Sequence, residues 1–414
     1  MSYHQNMLTP KLAIGLFLAS LFVAPSAPIC AQQPSVGLLL ARVSHARGTE
    51  VLDSPSVIQY ETLWVVRDAS GAHIAVTLPD IIEPRKTGFW RLGIAHTCQL
   101  TPPSYSSPKG PGTISTQDLA YAVPVERTPV VQLNAPSPPC DADTAQRVFD
   151  DSYRLYAGDS PQPPDPNAPS QCGWQNLSFT SVLPDFVSLS YDQGLSENCD
   201  PRGSNSFQKI WVQSPDDPLS ALDPTQKYKL IPFGQIFGPV GHRAWVRAVT
   251  SESGGNSCLA DVPKEELDNQ TAWSLVHFSG KWVAYAFAQE GRDCAGFGYP
   301  KVTVPRSLTH TAPLPIPWPA LEKQLPGISD AYLSPSGSIL VAIVSAQKPQ
   351  RVVSITLFDF SENKLGAKLL DLPPGDVVMA EWATGRFVQS WTDTLTALKS
   401  HGLPAVVVKP ASSN

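Results

Sequence analysis

The segment 191–203 contains the residue types best suited to chemistry. Glu197, Asp200 and Arg202 lie close together in the chain, beside Cys199. Carboxylates can act as general acids and bases or hold a basic group, and a guanidinium can hold an anionic one. A loop anchored on a rigid scaffold is a common place for a binding site. The same residues also suit a solvated loop in which the Asp and Arg side chains pair with each other.

The segment 238–243, with the sequence GPVGHR, is a second candidate ligand-binding segment. It could present the imidazole of His242 and the guanidinium of Arg243 at the tip of a loop. Its two glycines equally suit a turn that leads into a strand at Ala244. We therefore predict a strand over 243–249, with both polar side chains near its start.

The chain lacks the common catalytic signatures. It has no G-x-S-x-G, no H-E-x-x-H, no phosphate-binding glycine loop and no C-x-x-C pair, so we predict neither a metal nor a cofactor. The sequence favours a non-catalytic binding or scaffold protein of the cell envelope or extracellular space, with a protein or a glycan as partner. The alternative is a secreted hydrolase or lyase that acts on a glycan or peptide through Glu197 and Asp200.

Residues 1–31 are typical of a secretory signal peptide. The apolar run Leu12–Ala24 follows Lys11 and precedes a segment of small residues and prolines. The run is shorter than the roughly 20 apolar residues that a membrane span needs. We expect cleavage after Ala31 and a secreted or periplasmic protein without a membrane span. The net charge of −6 does not favour nucleic-acid binding.

Six cysteines remain after the loss of Cys30 with the signal peptide. An even number of cysteines in an oxidising compartment favours disulfides, although the sequence alone leaves many pairings open. Cysteines that are close in the chain and flank a hairpin return near each other most readily. On this argument we predict three disulfides: Cys258–Cys294, Cys172–Cys199 and Cys98–Cys140.

Segments 62–76 and 271–287 share a pattern of two apolar runs joined by a Ser-Gly turn, which predicts two β-hairpins. Segments 332–344 and 382–391 also place Ser-Gly or Thr-Gly before an apolar run, which predicts a strand after each turn. The 42 prolines indicate strands and loops with few helices. We expect the tryptophans within apolar strand patterns to be buried: Trp90, Trp211, Trp245, Trp273 and Trp282.

The turn glycines recur at nearly regular intervals. Gly280, Gly337 and Gly385 are 57 and 48 residues apart, and Gly71 lies 209 residues before Gly280. Repeats of roughly 40–50 residues, each a small antiparallel sheet, are typical of β-propellers. The stretch Leu333–Ala342 looks like the strand-turn-strand of a blade in exported Tol-type bacterial β-propeller repeat proteins. This resemblance covers under half the chain and implies an all-β, propeller-like repeat of antiparallel sheets.

A proline-rich connection over 158–170 divides the mature chain into a β-rich part, 32–157, and a β-repeat part, 171–414. We assign both parts to the same propeller-like architecture; the alternative is two β-sandwich-like domains. The pattern over 141–156 predicts a helix. If a ring forms, the segment 405–408 should pair with a strand of the N-terminal part, because circular folds leave few unpaired edges.

Overall fold

The part of the chain that the structure describes, in a computed structural model, is discontinuous. It comprises residues 36–45, 58–101, 113–132, 170–195, 205–216, 230–250, 272–290, 294–309, 313–345 and 353–409. These residues all belong to one compact unit, Pro34–Asn414. The predicted signal peptide and the predicted helix over 141–156 lie outside the described residues.

Strands dominate the described residues. In chain order they are β1 (Val36–His45), β2 (Ile58–Asp68), β3 (Gly71–Pro79), β4 (Ile81–Arg85), β5 (Gly88–Thr101), β6 (Thr113–Pro124), β7 (Val130–Gln132), β8 (Ser170–Leu183), β9 (Phe186–Leu195), β10 (Asn205–Gln213), β11 (Trp273–Phe278), β12 (Lys281–Glu290), β13 (Cys294–Gly298), β14 (Ile328–Leu333), β15 (Ile339–Ser345), β16 (Val353–Ser361), β17 (Lys364–Leu372), β18 (Asp376–Thr384) and β19 (Val407–Lys409).

Helices are few among the same residues, and they are α1 (Phe233–Thr250), α2 (Arg306–Thr309), α3 (Trp318–Gln324) and α4 (Arg386–His401). The strands form five sheets, in the orders β18-β1-β2-β3, β10-β9-β8-β6-β5-β4, β11-β12-β13, β14-β15-β16-β17 and β19-β7. Neighbouring strands are antiparallel except for the parallel pairs β6–β8 and β7–β19. The prediction of an all-β chain with few helices is therefore confirmed.

The two hairpins that the Ser-Gly turns predicted are present. β11 pairs with β12 through Ser279 and Gly280, whose φ angles are 51° and 72°. Positive φ at both central residues is the mark of the tight turn that matches the twist of a hairpin. β2 pairs with β3 around Ser70, whose backbone N–H and hydroxyl both donate to the Asp68 carboxylate. A third hairpin, β14–β15, has a longer connection, residues 334–338, in which Gly337 has a φ of 69°.

The strand predicted after Gly385 is wrong, because residues 386–401 form α4. Val388 and Leu395 are buried. Trp391, which lies between them in the chain, packs against Trp64. Apolar residues at intervals of three and four lie on one side of a helix. This spacing continues to Leu395, beyond the segment 382–391 from which the strand was predicted. The helical period therefore determines the structure of this segment.

The strand predicted over 243–249 is also wrong, because this stretch is the second half of α1. Gly238, with φ of 64°, kinks the helix just before Pro239. Pro is well suited to the first turn of a helix, where its missing N–H costs nothing. Trp245 and Val249 are buried one turn apart, which fixes the face that the helix turns to the core.

The two ends of the described chain meet within the sheets. β1 lies between β2 and β18 in one sheet. Val407 and Val408 pair with Val130 and Val131, which confirms the predicted pairing of the C-terminal segment with the N-terminal part, in parallel orientation. The largest sheet joins strands from both sides of the connection 158–170. The described sheets differ in strand number, and no closed ring of equal blades is found among them.

The main hydrophobic core lies between the first sheet, the six-stranded sheet and α4, where it includes Leu39, Trp64, Leu92, Leu189 and Leu395. A second core lies between α1 and the β11–β13 sheet. A third joins the first sheet to β14–β17. The described sheets are thus linked to one another through buried apolar faces.

Candidate functional site

The first predicted site lies outside the described residues. This applies to Glu197, Asp200 and Arg202, which follow the end of β9 and precede the start of β10. Their role in ligand binding stays a prediction. The hydrolase or lyase alternative rests on the same carboxylates and also stays a prediction.

His242 and Arg243 lie within the regular part of α1 rather than at a loop tip. Arg243 is exposed and His242 is partly buried. Consecutive residues on a helix point about 100° apart, so the two side chains do not face the same direction. The geometry expected for a loop-tip site is therefore absent at these two residues.

The predicted disulfides also stay predictions. Cys98, Cys172 and Cys294 belong to β5, β8 and β13, although their side chains are outside the described part. The expected partners Cys140, Cys199 and Cys258 lie wholly outside the described residues.

The feature that stands out in the described residues is an exposed cluster of aromatic rings on the β11–β13 sheet. We call Tyr285, Phe297 and Tyr299 the aromatic surface. The ring centroids of Tyr285 and Phe297 are 6.3 Å apart, and those of Tyr285 and Tyr299 are 5.5 Å apart. Phe297 is 48% and Tyr299 61% exposed. Clustered exposed aromatic residues mark interaction sites more often than scattered ones do.

Alternation along β12 explains why aromatic residues gather on the outer face. Ala284, Ala286 and Ala288 point to the second core, whereas Tyr285 points to the opposite face. Side chains of a strand alternate between faces, so the three alanines share the inner face and Tyr285 lies on the outer face.

Close packing of α1 explains why the inner face carries small residues. A Cβ atom built at Gly298 would lie 2.5 Å from the Ala248 carbonyl oxygen. Glycine is therefore required where β13 crosses the helix. The aromatic neighbours Phe297 and Tyr299 consequently lie on the side away from α1.

Tyr285 contributes a neutral phenol to the aromatic surface. Burial, and to a lesser extent the neighbouring Tyr299, raises the pKa of the Tyr285 phenol above its ordinary value. A phenol with a raised pKa is neutral at physiological pH. The surface therefore offers flat apolar area with phenol hydroxyl groups that can donate or accept hydrogen bonds.

A buried polar network holds the β11–β12 turn in place. His277 Nδ1 lies 2.7 Å from Asp330 Oδ2, and Asp330 Oδ1 accepts from the Gly280 backbone N–H at 2.8 Å. The His277 ring stacks on Tyr332 with centroids 4.0 Å apart. A turn fixed by a side chain from another sheet is a rigid base for a binding surface.

The tryptophan expectation is confirmed for three of the five residues, because Trp211, Trp245 and Trp273 are buried. Trp90 and Trp282 are only partly buried. Sequence reasoning considered the tryptophans and missed Phe297 and Tyr299. The alternation of glycine with aromatic residues in the stretch GFGYP was the available signal.

Two further properties bear on function. Within the described ranges, no three His, Cys, Asp or Glu side chains come together in an arrangement able to hold a metal ion. Nor does any helix in those ranges have the length and apolar character to cross a membrane. Comparisons with protein-family models, with curated proteins and with solved structures gave no match to this chain.

Proposed function

We propose that this chain is an exported, non-catalytic binding or scaffold protein of the cell envelope or extracellular space, and that the aromatic surface contacts a protein partner. The single observation that carries the proposal is the exposure of Phe297 and Tyr299 beside Tyr285 on one face of a sheet. Export rests on the signal-peptide pattern of residues 1–31.

The position of the surface supports a protein partner. Phe297 lies in β13, which is a terminal strand of its sheet among the described strands. An extended peptide can add to such an edge through backbone hydrogen bonds, and its alternate side chains then meet those of the edge strand. Tyr and Phe side chains bury large areas at little cost in conformational entropy, so they often carry most of the binding energy.

We also propose a propeller-like arrangement for the sheets. The pairing of β1 with β18 supports it, because ring-shaped folds are commonly closed by pairing strands from the two parts of the chain. The sequence similarity around Leu333–Ala342 to exported propeller blades supports it as well. Solution scattering with a refined ring-shaped envelope would support this arrangement, and an elongated envelope would contradict it.

The binding proposal can be tested with a Phe297→Ser, Tyr299→Ser double variant. The variant and the unaltered protein are cross-linked in the source organism's envelope, and the attached proteins are identified by mass spectrometry. Purified candidates are then titrated against both proteins. We expect a specific partner whose affinity falls about tenfold or more in the double variant.

Phe387→Ser supplies the matched control, because Phe387 is an exposed aromatic residue on α4, away from the aromatic surface. It should retain full affinity. A glycan array probed with the same proteins tests whether the partner is a glycan. If the unaltered protein binds a glycan and the double variant does not, the partner is a glycan rather than a protein. If the unaltered protein and both variants bind the partner equally well, the aromatic surface has no role in binding.

A further inference from the structure

A short segment after α4 crosses the six-stranded sheet. We call residues 404–409, which include β19, the strap. Side chains of a strand alternate between the two faces of a sheet. Leu92 of β5 and Ala120 of β6 face the main core. Ala95 of β5 and Leu119 of β6 pack with the strap on the opposite face. The strap therefore covers the outer face of this sheet.

The strap rests on an apolar floor. Val406 and Val408 pack against buried residues from three strands, namely Ala95, Leu119, Tyr121 and Val131. A Cβ atom built at Gly93 would lie 2.4 Å from the Tyr121 hydroxyl oxygen, so glycine leaves the room that this side chain needs above β5. The floor thus accepts aliphatic side chains at alternate positions of an extended segment.

The backbone of β7 provides the edge with which the strap pairs. In this parallel pairing Val407 lies opposite Val130. The Val407 N–H donates to the Pro129 carbonyl oxygen at 2.8 Å. Within the described part of the chain, β7 pairs with no strand other than β19. An extended peptide that adds to a strand edge in this way gains affinity from main-chain hydrogen bonds.

A fixed guanidinium holds the other end of the strap. Arg91 Nη1 donates a hydrogen bond to the Pro404 carbonyl oxygen. Arg91 Nε donates to Asp80 Oδ2 at 2.5 Å, and the Tyr121 hydroxyl donates to the same oxygen at 2.8 Å. Arg91 is 7% exposed, and its guanidinium lies 5.5 Å from the centre of the Tyr121 ring. Groups outside the strap therefore hold this donor in position for a peptide carbonyl.

The strap leaves apolar area uncovered. Val130 is 52% and Val407 39% exposed, although they lie opposite each other. Parallel strands are usually covered on both faces, so a bare valine pair on a parallel sheet is unusual. Gly402, just before the strap, has a φ of 77°, and nothing lies within 4 Å of a Cβ atom built there. The chain is thus unpacked close to the point where it passes from α4 to the strap.

We propose that the apolar floor, the edge of β7 and Arg91 form a docking groove for an extended aliphatic segment of a partner protein, and that the strap is its autoinhibitory occupant. The partner segment pairs with β7 in place of β19. One of its backbone carbonyls accepts from Arg91, and its alternate aliphatic side chains pack on Leu119 and Tyr121. The groove lies on a different sheet from the aromatic surface, and it is independent of that surface.

Competition with the strap determines what kind of partner fits. A covalently linked segment acts at a high effective concentration, so a replacement must make contacts that the strap does not make. The exposed Val130 side chain offers such contacts to a partner with an apolar surface beside its extended segment. The strap of a second copy would make the same contacts as the resident strap and would lack its linkage. The exposed valine therefore favours a different protein as the occupant.

Binding of a fluorescent peptide with the sequence of residues 403–409 tests the groove, with anisotropy as the readout. The full chain carrying Val406→Asp and Val408→Asp should release the strap, because both changes place a charge on the apolar floor. We expect saturable peptide binding to this variant and at least about tenfold weaker binding to the unaltered chain. A peptide with aspartate at the same two positions should not bind. Val240→Asp, at an exposed valine on α1, is the matched control and should bind the peptide no more tightly than the unaltered chain does.

A locked protein and a second strap variant complete the test. Val130→Cys and Val407→Cys, joined by a disulfide, hold the strap on β7, and we expect this protein not to bind the peptide. Val406→Ser with Val408→Ser replaces the aspartate variant if that variant does not fold. The proposal is overturned if the folded strap variant does not bind the peptide, or if the locked protein or the Val240→Asp variant binds it as tightly. Light scattering should give the same mass for the unaltered protein and the strap variant. A dimer that is lost in the strap variant would instead make a second copy the occupant.

Discussion

His96 is a partly buried titratable residue with two hydrogen bonds that bear on its charge state. Its Nδ1 lies 2.7 Å from Asp118 Oδ1 and its Nε2 lies 3.0 Å from the Ile58 carbonyl oxygen. Both neighbours are acceptors when Asp118 is ionised, so only the doubly protonated imidazolium satisfies both contacts. Burial lowers the pKa of His96, but the hydrogen bond and charge of Asp118 outweigh it, and the net pKa lies above the ordinary value.

A His96→Gln variant should therefore lose stability in a pH-dependent way. Because the pKa of His96 is raised in the folded protein, its ionisation stabilises the fold. This contribution is complete below the ordinary histidine pKa of about 6.5, and it disappears as the pH rises through the pKa of His96 in the folded protein. We expect the variant to be less stable by about 1–3 kcal/mol near pH 6, and the difference to shrink towards pH 9. Urea unfolding at several pH values measures this. His401→Gln, at an exposed histidine on α4, is the control, and a pH-independent difference at His96 would contradict the imidazolium.

Glu381 should produce the opposite kind of pH dependence. Its pKa in the folded protein is about 8 against an ordinary value of 4.5, so the folded state loses stability as the pH rises through that interval. Glu381→Gln removes the ionisation, and because the side chain still reaches solvent we expect a gain on the order of 2 kcal/mol above pH 8. Thermal unfolding from pH 5 to pH 9 would show it. Glu322→Gln, on the exposed side of α3, is the control, and equal pH profiles for Glu381→Gln and the unaltered protein would rule out a raised pKa.

Turn glycines are the sequence feature that defines the hairpin elements. Gly280 and Gly337 have nearly the same positive φ, 72° and 69°, but different surroundings. A Cβ atom at Gly280 would lie 2.0 Å from Leu314 Cδ1, whereas nothing lies within 4 Å of a Cβ atom at Gly337. The two positions therefore separate backbone strain from packing.

Substitution by alanine should reveal this difference. Gly337→Ala should cost only the strain of the left-handed conformation, about 1 kcal/mol. Gly280→Ala must also displace Leu314, so we expect a total loss of about 2–4 kcal/mol. Chemical denaturation of both variants gives the comparison. A loss at Gly280 no larger than the loss at Gly337 would mean that Leu314 moves aside freely.

At the scale of the whole molecule, β1 is the strand on which two distant parts of the chain converge. Its pairing with β18 places residues 376–384 beside residues 36–43. Trp64 Nε1, in the next strand, donates to Thr392 Oγ1 of α4 at 2.9 Å. The C-terminal elements therefore complete the main core rather than forming a separate unit.

Removal of the C-terminal elements should consequently abolish cooperative folding. A chain ending after Leu372 lacks β18, α4 and β19, which exposes one edge of β1 and the apolar face around Trp64. We expect this truncation to show no sharp thermal transition and to bind hydrophobic dyes. A chain ending after Lys409 is the control and should unfold cooperatively. A sharp transition in the shorter chain would show that the remaining sheets fold independently of β18.

The sequence by itself determined the features that depend on neighbouring residues. The hairpins at Gly71, Gly280 and Gly337 follow from apolar runs, turn chemistry and positive φ, all of which act over a few residues. The all-β class follows from the same local patterns and from the high proline content. The core tryptophans Trp245 and Trp273 could be predicted from their apolar neighbours.

Where the local sequence pattern suits either a strand or a helix, only the tertiary structure decided which of the two forms. The stretches containing Arg243 and Val388 read as short strands, but their helices are fixed by packing against sheets from other parts of the chain. The same holds for charge. Glu83 and Glu381 are 298 residues apart, and nothing local indicates that the charge of Glu83 raises the pKa of Glu381. Burial and long-range electrostatics arise only when distant strands assemble, because both depend on neighbours in space rather than along the chain.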